Sequence, residues 1–223
     1  LKGLLLDKGL NTNVGDEGGY APDLSSNEEA LSVIVKSIET AGYIPGKNIF
    51  IALDIAASSF YNSETDTYNI DNTNKTREEL LNYYIELLQK YPIISIEDPF
   101  DEDDYLGFKM ITDSLGKKIS IVGDDLFVTN KNLLKKGIED GLCNAILIKP
   151  NQVGIFYETL ETIVLAKQNK YTCIMSHRSG ETTDTFISDL AVALNIPFMK
   201  SGSTSRGERL SKYNRLLEIE EEL

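Results

Sequence analysis

The chain has 223 residues, 41% hydrophobic and 26% charged, the balance of one soluble globular domain rather than a fibrous or disordered chain. No apolar stretch reaches the roughly 18 residues that a membrane span needs. The formal net charge of −13 argues against nucleic acid or an anionic membrane as partner, and any anion site must reverse that charge locally with Lys, Arg or metal ions.

The opening segment LKGLLLDKGL is too short and too charged for a signal peptide, and reads as the tail of an amphipathic helix. Gly15-Asp16-Glu17-Gly18-Gly19 follows, two acids inside a glycine-rich turn where backbone can approach a ligand closely. The alternative there is a plain turn. Ser26-x-x-Glu29 reads as a capping box, with Leu31, Ile34, Val35 and Ile38 on one helix face and Gly42 as its stop. The run IFIALD ends at Asp54. A polar Asn-, Asp- and Thr-rich stretch after Phe60 reads as a surface hairpin or loop. Thr76-x-x-Glu79 opens a second helix carrying Leu81, Tyr84, Ile85 and Leu88.

Five more apolar runs follow: IISIE ending at Glu97, ISIVGD at Asp124, AILIK at Lys149, TCIMSH at His177 and PFMK at Lys200. Helical patterns separate or follow them, at 104–115, 131–140, 155–168, 183–194 and 206–222. Short continuous apolar runs are the habit of strands buried on both faces. A strand, a helix and two loops need about 25–30 residues, close to the pitch of these runs. The pattern predicts an α/β fold of the TIM type, a (β/α) barrel in a single domain over residues 1–223, with six strands where a closed barrel has about eight. That shortfall, and a first residue that is Leu1 and not Met, suggest a piece of a longer chain. Such a piece has two open sheet edges and is expected to be poorly stable and inactive alone. Cys143 and Cys173 sit in or beside apolar runs and read as reduced core thiols of a cytosolic protein.

In a barrel of this kind the C-terminal ends of the strands converge on one mouth. Asp54, Glu97 and Asp124 close three consecutive strands, and three carboxylates so placed suit Mg²⁺ rather than zinc, which calls for His or Cys. The alternative is three solvated loop acids. Lys149 and Lys200 close later strands; each is a candidate proton acceptor or charge partner, or a salt bridge to those same carboxylates. His177, the one histidine, stands in Ser176-His177-Arg178-Ser179-Gly180, where a guanidinium and hydroxyls suit an oxyanion such as phosphate.

The segments NVGDEGGYAP (13–22), SIEDPFDEDD (95–104), VGDDLFVTN (122–130), LIKPNQVG (147–154), SHRSGET (176–182) and SRGERLSKYNRLLEIEEEL (205–223) together resemble the enolase family. The resemblance covers almost the whole chain. It implies the C-terminal barrel domain of a cytoplasmic, Mg²⁺-dependent lyase, surface or secreted forms occurring among its relatives. That enzyme interconverts 2-phospho-D-glycerate and phosphoenolpyruvate with two magnesium ions per site, and is a homodimer or larger when complete. By resemblance, Asp54, Glu97 and Asp124 match the metal ligands, and Lys149 the base at carbon 2. Lys200 matches the partner of the substrate carboxylate, and Glu17 the acid that helps the 3-hydroxyl leave. Arg178 and Ser179 match the phosphate contacts, with His177 beside the substrate. The family's N-terminal domain, first two barrel strands, a loop serine and a histidine–glutamate pair have no counterpart in the 223 residues. Ser59 stands where the family often has an acid, and Pro150 where it has a non-proline residue. Pro150 restricts the backbone of Lys149. Two other readings remain: a related enzyme acting on a non-phosphorylated carboxylate, and a non-catalytic piece.

Overall fold

The computed structural model describes residues 1–223. In chain order, α1 (Lys2–Asp7) and α2 (Asn27–Thr40) precede β1 (Ile51–Asp54). A single 3₁₀ turn at Ala57–Phe60 leads into β2 (Tyr61–Asn62), β3 (Thr67–Ile70) and β4 (Thr73–Lys75). Next come α3 (Arg77–Lys90), β5 (Ile93–Glu97), α4 (Tyr105–Leu115), β6 (Ser120–Gly123), α5 (Lys131–Asp140) and β7 (Ala145–Ile148). The chain closes with α6 (Pro150–Val153), α7 (Phe156–Gln168), β8 (Thr172–Ser176), α8 (Phe186–Ala193), β9 (Phe198–Lys200) and α9 (Gly207–Glu222).

The six long-range strands form one parallel sheet in the order β1-β5-β6-β7-β8-β9, a curled part of a barrel whose edges are β1 and β9. This is the α/β barrel architecture expected from the pattern, with the expected six strands. Strand β7 shows why the runs are uninterrupted. All four of its residues are buried; Ile146 and Ile148 join the large core under the helices, while Ala145 and Leu147 join a smaller cluster with Val122 and Ile174. A strand walled on both faces leaves no position for a polar side chain until its end.

The caps explain where helices begin. Thr76 Oγ1 accepts from Glu79 N and the Glu79 carboxylate accepts from Thr76 N, a complete capping box. The box expected at Ser26 is half formed: Ser26 Oγ accepts from Glu29 N at 3.2 Å, but the Glu29 carboxylate accepts from Ser25 N and Oγ instead. Gly42 stops α2 as expected, at φ +85° in the left-handed region.

Of the two readings of the polar stretch after Phe60, hairpin or loop, the hairpin forms and gains a third strand. It folds into an antiparallel three-stranded meander that puts Tyr68 wholly inside the core. The Tyr68 hydroxyl donates to Asp104 Oδ2 at 2.7 Å and accepts from Asp101 N at 3.0 Å, tying the meander to the loop after β5. Cys143 and Cys173 are buried free thiols. No helix is long and apolar enough to cross a membrane.

Candidate active site

Asp54 and Glu97 are the last residues of β1 and β5 and stand opposite each other in register. Asp124 directly follows β6, Lys149 follows β7 and His177 follows β8, while Lys200 ends β9. The His177 N–H donates to Lys200 O at 3.0 Å, which aligns the last two of these ends. Lys149 is the N-cap of α6, with the extended backbone (φ −120°, ψ 92°) that a following proline demands, and Pro150 takes the first helical position. The Lys149 N–H donates to the buried Thr129 Oγ1 at 2.9 Å.

Most of these strand ends open on one polar cavity of about 560 Å³, in which Ala56 is the one apolar lining residue. Glu17, Asp54, Asp124, Lys149, His177, Arg178, Ser179 and Lys200 all line it. Glu97 does not; it lies behind Lys200 with its side chain 8% exposed. Lys200 Nζ bridges Asp54 Oδ2 and Glu97 Oε1, each at 2.7 Å, and Lys149 Nζ lies 2.5 Å from Asp124 Oδ2. The salt-bridge alternative for both lysines is therefore what the side chains adopt in this structure.

Burial pushes the Glu97 carboxyl up to about 8 against the pull of Lys200, with Asp54 and Asp124 pushing in the same direction as burial. Burial alone would lower the Lys200 ammonium, but Glu97 and Asp54 on either side overcome it and hold its proton more firmly than in an ordinary lysine. Asp124 Oδ1 is buried and has no hydrogen-bond partner. A buried, unsatisfied carboxylate oxygen among further carboxylates suits a hard cation such as magnesium, but Asp54, Glu97 and Asp124 are paired with lysines here and do not form a trio with oxygens within 4.8 Å of one another. The tightest acidic trio is a different one, Asp98, Asp124 and Asp125, with carboxylate oxygens within 4.8 Å of one another. Its closeness has a main-chain cause. Asp98 Oδ1 accepts from Asp124 N and Oδ2 from Asp125 N, both at 2.9 Å. Asp98 does this from φ +42°, a conformation costly for a non-glycine residue. It therefore reads as the support of the Asp124 turn, and burial pushes its carboxyl up to about 7.

In the same cavity, Glu17 Oε1 accepts from Ser179 Oγ at 2.9 Å, and Glu17 Oε2 lies 3.2 Å from His177 Nε2 without the alignment of a hydrogen bond. Burial alone would raise Glu17. The Ser179 hydroxyl and the charges of Lys200 and Arg209 nevertheless keep its carboxyl below the ordinary range. Burial lowers the His177 imidazole, and the neighbouring cations Arg209 and Lys200 reinforce this against Glu17. Arg209 is an arginine that sequence reasoning left without a role, although it lies inside a quoted segment. Its Nη1 donates to His177 Nδ1 at 2.6 Å, so Nδ1 is an acceptor and the neutral ring carries its proton on Nε2. Asp98 and Thr129 are likewise absent from the residues that the sequence pattern singles out. Asp98 had a weak signal, its place directly after a strand end; Arg209 had none, since its partners lie 30 to 193 residues away.

The family model for "Enolase, C-terminal TIM barrel domain" matches residues 1–223. A curated protein of Sulfurimonas denitrificans named Enolase is 54% identical over 223 residues, which is all of this chain and 53% of that protein. The chain thus spans about half the length of the curated relative it matches. With a curled parallel sheet, polar groups at the strand ends and a family match over residues 1–223, the chain belongs to the enolase family as its C-terminal TIM barrel domain.

Proposed function

We propose that the cavity at the strand ends is the dehydratase site of a Mg²⁺-dependent lyase that interconverts 2-phospho-D-glycerate and phosphoenolpyruvate. The observation that supports this reading is that Lys149 and Glu17, a candidate base and a candidate acid from distant parts of the chain, line one polar cavity together with Arg178, Ser179 and Lys200, which suit an anion. Asp54, Glu97 and Asp124 would hold magnesium, which when bound places positive charge where the substrate carboxylate gains electrons.

The residues then divide the work. Lys200 faces the substrate carboxylate, and Arg178 with Ser179 takes the phosphate. Lys149 Nζ, as the neutral amine once its ion pair with Asp124 is given up, receives the proton from carbon 2; the electron pair left behind spreads into the carboxylate and then forms the carbon 2–carbon 3 double bond as the carbon 3–oxygen bond breaks. Glu17 passes a proton to the departing hydroxyl, which leaves as water. To give that proton Glu17 must first hold one, and in the absence of substrate its surroundings shift the carboxyl toward the anion. The anion is the form needed for hydration, where it accepts a proton from water. For dehydration, a phosphorylated substrate beside Ser179 brings like charge that raises its proton affinity.

The test follows ultraviolet absorbance as 2-phospho-D-glycerate is converted by the complete protein, with magnesium and with EDTA. Product formation with magnesium that EDTA abolishes supports the reading. Equal turnover of glycerate, which lacks the phosphate, would instead favour a relative acting on non-phosphorylated acids. Residues 1–223 alone are expected to give no turnover, because β1 and β9 leave two sheet edges unpaired beside the exposed Phe50 and Phe198.

A further inference from the structure

Arg209, in the first turn of α9, is among the largest fully enclosed side chains, at 1% exposure. No carboxylate accepts a hydrogen bond from it; its closest, Glu208 Oε1, is 3.8 Å from Nε. Its partners are three main-chain carbonyls and one ring nitrogen. Nη1 donates to Arg178 O at 2.8 Å and to His177 Nδ1 at 2.6 Å. Nη2 donates to Ser179 O at 2.7 Å and to Asp16 O at 3.0 Å. One planar fork thus bridges two segments far apart in sequence.

We propose that Arg209 is a positioning residue of the site: it staples the turn that carries Glu17 to the loop that carries Arg178 and Ser179, and holds His177 as the Nε2–H tautomer facing Glu17. The neighbouring chain supports the same turn. Ser203 N donates to Glu17 O at 2.8 Å, and Arg206 Nε donates to Gly15 O at 2.9 Å. Gly202, at φ +76°, leaves room for the staple: a Cβ there would stand 2.6 Å from Glu17 O and 2.8 Å from Arg209 Cδ. A lysine carries the same charge but has a single nitrogen, which cannot reach acceptors set around a planar guanidinium. The assignment rests on the functional reading above for its kinetic consequence, and on geometry alone for its effect on the imidazole.

The test uses Arg209→Lys and Arg209→Met in the complete protein. Steady-state kinetics with 2-phospho-D-glycerate are paired with ¹⁵N NMR of the imidazole, assigned by loss of its signal in His177→Gln. In the wild-type protein the ring is expected to show one tautomer, protonated on Nε2. Both variants are expected to lose that single-tautomer pattern and to lower kcat about 100-fold, the scale of a slightly misplaced reacting group, with lysine giving no rescue. A wild-type ring protonated on Nδ1 overturns the proposal, as does an Arg209→Lys protein that keeps either the wild-type ring pattern or kcat within about threefold. Should neither variant fold, the wild-type tautomer decides. Wild-type protein with the Nε2–H ring but no dehydratase activity removes the functional reading and leaves the staple standing.

Discussion

Lys200 Nζ lies 2.7 Å from Asp54 Oδ2, although the two residues end the opposite edge strands of the six-stranded sheet. An ion pair between edges is geometrically possible only because parallel strands twist and the sheet curls until its ends approach. The same curl brings Asp54 at the end of β1, Asp124 after β6, the lysine after β7 and the histidine loop after β8 to a common cavity.

Replacing Lys149 by alanine is expected to lower kcat for 2-phospho-D-glycerate by about 10²–10⁴-fold, the usual worth of a placed acid or base. KM should change far less, because the anion contacts Arg178 and Ser179 remain. Turnover at the wild-type rate would remove Lys149 as the base.

Metal removal gives a second check. Asp124 Oδ1 is buried without a partner, so Asp124→Asn should weaken magnesium binding measured by calorimetry. The loss should exceed the about 10–100-fold that follows removal of a merely supporting group. An unchanged affinity would show that the ion does not use this oxygen.

The histidine sets a pH dependence of stability. His177 is buried and its folded pKa lies below the ordinary 6.5, so the unfolded chain binds a proton more readily than the folded one. Stability from this group is therefore complete well above 6.5 and declines as pH falls below it, by at most about 1.4 kcal/mol per pH unit. Urea denaturation at pH 7.5 and 5.5 should show a steeper loss in the wild-type protein than in His177→Gln. Parallel losses would mean that His177 is as free to protonate as an exposed imidazole.

Tyr68→Phe tests the meander. It removes a hydroxyl that donates to Asp104 and accepts from Asp101 N. Asp104 keeps Arg77 Nε at 2.7 Å and Gly107 N at 2.9 Å, so the expected cost is modest, about 1–2 kcal/mol in chemical denaturation. The kinetics should be unchanged, since Tyr68 lies outside the cavity.

The six strands, the helices between them and the placing of Asp54, Glu97, Asp124, Lys149, His177 and Lys200 at strand ends were legible in the chain by itself. Burial on both faces imposes an unbroken apolar run, and the first polar residue marks where a strand leaves the core. The depth of the meander was not legible, because Tyr68 reads as one more polar-loop residue until Asp101 and Asp104 are brought to it. Arg209, Asp98 and the pairing of each lysine with a carboxylate were decided only in three dimensions. Local pattern records which face of an element is buried; it carries no record of which distant carbonyl or carboxylate will lie opposite once the sheet has curled.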